Sequence, residues 1–239
     1  MKFSFALVGV SALLFQILSI GVVSAQTTSL RTGDAVWWEA KAKEWREAYP
    51  PEPVPFTTLC KNKDAPISIE WQLPDFKLQH TIDVLLEVAG TQNCQQADSK
   101  LRSLTSLSLA HKKITDLHPL SSFVNLKTLD LQDNEIGNVQ PLARLNNLTG
   151  LNLYKNNIFY VEPFAYLTNL TYLDLSVNQI KDVKPLARLT KLTILKLRKN
   201  QIKDVASLAS LNKLIDLTLR RNPIDKKVCP LNPASICDF

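Results

Sequence analysis

The sequence predicts an α/β solenoid: six 22-residue turns stacked into a parallel concave sheet, with short 3₁₀ or helical segments on the convex side and a disulfide cap at each end. Three observations predict it. Leucines recur at Leu104, Leu126, Leu148, Leu170, Leu192 and Leu214, a constant step of 22 residues. Each opens one pattern: Leu, two residues, Leu, one residue, Leu, two residues, then Asn in five of the six copies, one residue, Ile. All four cysteines fall outside the copies, Cys60 and Cys94 before them, Cys229 and Cys237 after. A period of this length belongs to units too small to bury an apolar face alone, which must stack on their neighbours.

Taken in order, residues 1–25 read as a secretory signal. Lys2 precedes a long apolar run, and Val23-Ser24-Ala25 puts small residues where a signal peptidase needs them. The run is also long enough to span a bilayer, so an uncleaved anchor is the competing reading. Residues 26–58 read as a Trp-containing helical extension and a Pro-rich linker. Asp34 can cap a helix reaching about Tyr49, with Trp37, Trp38, Lys41 and Trp45 along one side. Those tryptophans either pack the helix on the solenoid or present an aromatic stripe to a partner. Residues 50–55, PPEPVP, form a stiff spacer.

Residues 59–103 read as the N-terminal cap. Thr81 is expected to cap a helix over 82–89, stopped by Gly90, that covers the open edge of the first turn. Residues 104–225 are the repeats and 226–239 the C-terminal cap. Four cysteines allow three pairings. The flanking placement favours Cys60–Cys94 and Cys229–Cys237, because both cross-pairings would have to join opposite ends of a rod. Zinc ligation and a nucleophilic cysteine are the alternatives; the spacing does not favour the first and no partner residue supports the second.

Within each copy the Leu-x-Leu step has a two-residue period, which turns the leucines inward and the residues between them outward on a strand. Asn134, Asn156, Asn178, Asn200 and Asn222 follow the strands, placed to turn inward and bond the backbones of adjacent turns; Lys112 stands at that position in the first copy. Pro119, Pro141, Pro163 and Pro185 mark the back half of the turn. The connection to the next strand is too short for a long helix, so a 3₁₀ or single helical turn is expected.

This is the leucine-rich repeat pattern, and the 22-residue form with Asn-x-Ile-x-Asp-x-x-Pro-Leu-x-x-Leu resembles the SDS22-like class found in bacterial internalins. Residues 170–189, LTYLDLSVNQIKDVKPLARL, match it almost throughout. Cys60, Ala89-Gly90-Thr91, Cys94 and the tail from Asn222 through Cys229 to Cys237 are similar to secreted, cysteine-capped leucine-rich repeat proteins of cyanobacteria. The resemblance implies a fold and a protein-binding role; it carries no ligand and no contact residues, and the Trp-rich segment lies outside it.

The outward strand positions change along the rod. Early ones are small and polar, the middle holds Asp130, Tyr154, Tyr172 and Asp174, and the late ones Lys196, Arg198 and Arg220 are basic. These seven are the candidate partner contacts, with Phe159 as a separate edge contact where other copies carry polar residues or glycine. Tyrosine and arginine combine large contact area with polar ends, which suits a binding surface. The competing reading is a solvated sheet face whose charges serve solubility. The expected partner is another protein, of acidic surface, or an anionic glycan, met by a monomer that is secreted, periplasmic or on the cell surface.

Other classes find little support. The formal charge of +6 is spread over the chain, too diffuse for a nucleic-acid footprint. Once the signal is removed, no stable membrane span is expected. Six glycines form no phosphate loop, and His80, His111 and His118 have no dyad spacing. Asp130 and Asp174 sit two repeats apart, roughly 10 Å, too far for a retaining carboxylate pair. No catalytic residue, metal or cofactor is expected. A structural envelope protein, or a glycan-binding or glycan-processing one, is the alternative function.

Overall fold

A computed structural model describes residues 54–61 and 75–239. The expected signal, the Trp37/Trp38/Trp45 helix and Trp71 lie outside the described residues. The alternating leucines produce six three-residue strands: β1 Ser106–Ser108, β2 Thr128–Asp130, β3 Gly150–Asn152, β4 Tyr172–Asp174, β5 Ile194–Lys196 and β6 Asp216–Thr218. They form one parallel sheet in chain order, and the register repeats the sequence period: Ser106 meets Thr128, which meets Gly150, which meets Tyr172. Leucine therefore stacks on leucine, and Leu129, Leu151, Leu173, Leu195 and Leu217 are buried to within 2%.

Behind the sheet, 3₁₀ turns run along the convex side at His118–Leu120, Gln140–Arg144, Glu162–Tyr166, Lys184–Arg188 and Ala206–Ser210. Four of them carry proline in the first turn, where its missing N–H costs nothing. An Asx side chain starts most of them. Asp116, Asn138, Asp182 and Asp204 each accept the N–H two residues on, at 2.8–2.9 Å.

The asparagines form the expected ladder. Asn178 Oδ1 accepts Ile158 N–H at 2.9 Å, while its amide donates to the Leu153 and Leu175 carbonyls at 3.0 Å each. Asn134, Asn156, Asn200 and Asn222 do the same one step along. In the first copy the Lys112 backbone N–H donates to Asn134 Oδ1 at 3.1 Å, while its side chain turns away to pair with Glu87 at 3.3 Å. A left-handed residue precedes each asparagine: Asp133, Lys155, Val177, Lys199 and Arg221 have φ of 53–60°, and His111, before Lys112 in the first copy, has the same conformation at 59°.

The N-terminal cap differs from its expectation. Among the described residues three helices build it: α1 Phe56–Lys61, α2 Asp75–Ala89 and α3 Cys94–Arg102. Thr81 does not cap a helix over 82–89. It lies fully buried inside α2, its hydroxyl 2.8 Å from the Asp116 carbonyl and 3.3 Å from that of Lys77. Those acceptors satisfy the hydroxyl within the helix, which removes the usual pull of threonine toward an end. Gly90 does stop α2, at φ 65°, with Gly90 N–H on Glu87 O and Thr91 N–H on Leu86 O, the bond pair of a Schellman motif. Asn93 then starts α3 by accepting from Gln95 and Gln96 N–H. Ile82, Leu85 and Leu101 join a single core that continues to Leu219, and the Phe56 ring lies 5.6 Å from that of Phe123.

Both expected disulfides are present: Cys60–Cys94 ties α1 to the start of α3, and Cys229–Cys237 closes the far end. The second bridge holds a feature the repeat did not foretell. Cys237–Asp238 forms β7, a seventh parallel strand paired with β6 through Leu217 and Thr218.

Candidate partner-binding face

The strand register arranges the outward residues into rows across the sheet, with rungs about 4.8 Å apart. One row reads Ser106, Thr128, Gly150, Tyr172, Ile194, Asp216; the next reads Ser108, Asp130, Asn152, Asp174, Lys196, Thr218, Asp238. Just past the strands come Ala110, Gln132, Tyr154, Ser176, Arg198 and Arg220 at equivalent positions.

The middle row performs a backbone task in its early copies. Asp130, Asn152 and Asp174 each turn Oδ1 onto the N–H two residues ahead, at 3.1, 3.1 and 2.8 Å, which fixes the chain as it leaves the strand. Asp174 is only 8% exposed, the most enclosed of the candidate contacts. Asp130 is half-buried, and its second oxygen lies 3.4 Å from the Ser108 hydroxyl.

At β5 the row changes to Lys196, whose ammonium sits 5.6 Å from the centre of the Tyr172 ring. A cation over an aromatic face at this distance contributes about 0.5–1 kcal/mol. Burial raises the Tyr172 phenol above its usual pKa, and the Asp174 carboxylate adds to the rise while Lys196 opposes it. The phenol therefore remains a neutral donor and acceptor at physiological pH. Tyr154 and Arg198 are half-buried. Among the described residues, neither Lys196 nor Arg198 has a carboxylate within ion-pair distance. Arg220 differs, since its guanidinium pairs with Asp238 of β7. Phe159 is 37% exposed in the turn after β3, outside the sheet rows that hold Tyr154 and Tyr172.

Two features of this face were not read from the sequence. One is a charge cluster in the left-handed row, where Asp133 bridges His111 Nδ1 at 2.9 Å and Lys155 Nζ at 2.7 Å. Lys155 first, then His111, hold the Asp133 carboxyl below its usual range, and Asp133 raises Lys155. Aligning the copies at the residue before each asparagine would have brought the three together. The other is a shallow dish of about 470 Å³ over β1–β4, with Gly150 in its floor and Tyr172 at its side. No His, Cys, Asp or Glu group suited to a metal ion occurs among the described residues. None of the helices among the described residues is long and apolar enough to cross a membrane.

Repeat, ladder and sheet together define a leucine-rich repeat protein. Leucine-rich repeat family models match residues 102–144, 124–180 and 168–210. Within that class the chain is similar to internalins. An internalin from Listeria monocytogenes is 38% identical at a TM-score of 0.51, over 54% of this chain and 39% of its own. A leucine-rich repeat protein of Leptospira interrogans is 29% identical at 0.51, over 55% of this chain and 35% of its own. The chain thus spans well under half the length of either. No curated protein matches it.

Proposed function

We propose that the chain is an exported, non-catalytic recognition module that binds another protein through the concave face from β3 to β6. Tyr154, Tyr172, Lys196 and Arg198 form the centre of the contact. Asp130, Asp174 and Arg220 flank it, and Phe159 adds a contact at the edge. The observation that carries this reading is the pair of cations, Lys196 and Arg198, beside two tyrosines without an internal carboxylate to neutralise them. Charges left unpaired on a rigid, otherwise satisfied scaffold favour a partner with an acidic surface. The likeness to internalins agrees with a recognition role, and two disulfides agree with an oxidising compartment outside the cytosol.

The test immobilises the full chain and exposes it to secreted and envelope proteins at low salt and at about 1 M salt, where the Debye length falls to roughly 3 Å. Saturable capture of a protein is expected. It should weaken at high salt and fall at least tenfold in Lys196→Glu/Arg198→Glu. Arg220→Glu should cost less, because Asp238 already neutralises Arg220. Equal capture by the double variant would move the interface off β4–β6. Retention only by bulk wall material would replace recognition with a structural envelope role.

A further inference from the structure

Positive charge gathers toward one end of the stacked turns. Residues 181–227 hold 13 Lys and Arg against 4 Asp, whereas residues 104–180 hold 5 Lys and Arg against 6 Asp and Glu. Part of the excess lies on the concave strip, but six cations lie off it, around the back of the fourth and fifth turns. Lys181 and Lys203 follow β4 and β5, Lys184 and Arg188 begin and end a convex 3₁₀ turn, and Lys191 and Lys213 precede β5 and β6. All six are exposed. The scaffold does not require this belt, because the same places in the second and third turns hold a single cation, Arg144. Stacking sets Lys181 beside Lys203 and Lys191 beside Lys213, about 4.8 Å apart along the rungs. Gln201 N–H on Ile180 O and Ile215 N–H on Thr193 O, each at 2.8 Å, hold the chains in that register. Like charges on adjacent rungs repel. Nearer the N-terminal cap such a charge is answered by an opposite one, as Asp133 answers His111 and Lys155. Among the described residues, no carboxylate comes within ion-pair distance of any of the six. Asp182 and Asp204 adjoin Lys181 and Lys203, but each turns an oxygen onto the N–H two residues on. Lys191 donates to the Asn169 amide oxygen at 2.7 Å instead.

The composition of the belt indicates what it meets. Five of its six cations are lysine, a residue that protein interfaces deplete. Residues 181–213 contain no aromatic residue and none of the exposed large apolar ones. A globular protein would find no anchor to bury there, and a single-stranded nucleic acid no ring on which to stack its bases. The belt also turns from the far ends of the strands, around the convex back, to their near ends. A flat bilayer reaches one of those sides at a time, whereas a flexible chain follows all three. Lysines spread over a curved surface suit a polymer dense in anionic groups, which gains affinity by releasing its condensed counterions. We propose that the convex back of the fourth and fifth turns binds an anionic polysaccharide, its carboxylate or sulfate groups shared among these six cations. At one end of the belt a recess of about 430 Å³, lined by Lys181, Gln201, Lys203 and Pro223, takes one sugar unit. The ammonium groups and the amide meet its anionic group, and the lysine methylenes and the proline ring meet its C–H face. This surface lies off the concave strip, shares none of its residues and does not depend on the protein-binding reading.

The experiment titrates the full chain with polygalacturonate, dextran sulfate, neutral dextran, an oligothymidylate and vesicles of anionic lipid, at about 20 mM salt, where screening is weak. Saturable binding to polygalacturonate, dextran sulfate or both is expected, with none to dextran. A response to one polyanion alone supports the proposal and identifies the anionic group as carboxylate or sulfate. Lys181→Gln/Lys203→Gln and Lys191→Gln/Lys213→Gln should each lower affinity at least fivefold and reduce the log–log salt slope by about two. Neither should lower Tm, since each removes a stacked pair of like charges. Lys196→Gln/Arg198→Gln, on the opposite face, should change affinity less than twofold, so loss of this binding is separable from loss of protein capture. Failure of both polyanions to saturate overturns the proposal. So does undiminished binding in either lysine variant, or an equal loss in Lys196→Gln/Arg198→Gln. Tighter binding of the oligothymidylate or the vesicles at matched anion concentration overturns it as well, reassigning the belt to nucleic acid or to a membrane surface.

Discussion

Val177 occupies a backbone conformation that suits it poorly. At φ 59° it holds the left-handed position that His, Asp, Lys and Arg fill in the other copies, and it is the β-branched member of that row. Branching at Cβ crowds the following carbonyl there, whereas asparagine and glycine tolerate the region. Val177→Asn should therefore stabilise the fold by about 1 kcal/mol, raising Tm by roughly 2–4 °C in thermal unfolding; a lower Tm would mean that valine's packing outweighs its strain. In the same row, the Asp133 carboxyl is held below its unfolded value by Lys155 and His111. A depressed carboxyl pKa contributes stability above the unfolded value and loses it as pH falls through the folded one. The raised Lys155 contribution runs the other way, present below the unfolded lysine value and lost as pH rises through the folded one. Asp133→Asn should lower Tm slightly at neutral pH, the effect being small because the cluster is exposed, and flatten the acid limb by the same amount, so that the two proteins converge well below about pH 4. An unaltered acid limb would show that the contacts do not persist in solution. Neither residue's situation is legible as a motif, because both depend on a position the consensus leaves open.

The elements divide by how local their causes are. Each strand follows from its own Leu-x-Leu alternation, and each repeat's 3₁₀ turn from an Asx side chain that accepts the N–H two residues on, or from a proline within the turn, so both were readable copy by copy. The caps were not. Helix α3 carries few apolar residues, with only Ala97 and Leu101 buried, and its start depends on Asn93 bonding two N–H groups. Thr81 looked like a cap because its actual acceptor, the Asp116 carbonyl, lies 35 residues away in sequence. The caps also concentrate the covalent stabilisation. The Cys60–Cys94 bridge spans 34 residues and Cys229–Cys237 spans 8. Loop-closure entropy then assigns about 4 kcal/mol to the first and about 2.5 kcal/mol to the second. Cys60→Ala/Cys94→Ala should consequently lower the denaturation midpoint more than Cys229→Ala/Cys237→Ala. The reverse order in chemical denaturation would mean that pairing of β7 with β6 depends on the second bridge more than its loop length suggests.

At the scale of the whole molecule, stacking turns place residues 22 apart as neighbours, and that geometry converts a list into a surface. The period determined the solenoid, the direction of the leucines, the role of the asparagines and the face on which variation is exposed, and the flanking positions of the cysteines determined the location of the disulfides. Those features repeat locally, so one copy's chemistry predicts the next. Tertiary structure decided how the variable residues use that face. It neutralised Arg220 with Asp238 from an unforeseen strand, enclosed Asp174 behind a backbone bond and placed Lys196 over Tyr172. It also opened a recess where Gly150 lies between threonine and tyrosine. The physical reason is that periodic apolar burial is a property of each turn taken with any equivalent neighbour. Charge pairing, stacking and hollows belong to particular pairs of turns, and only the register of the folded sheet brings those pairs together.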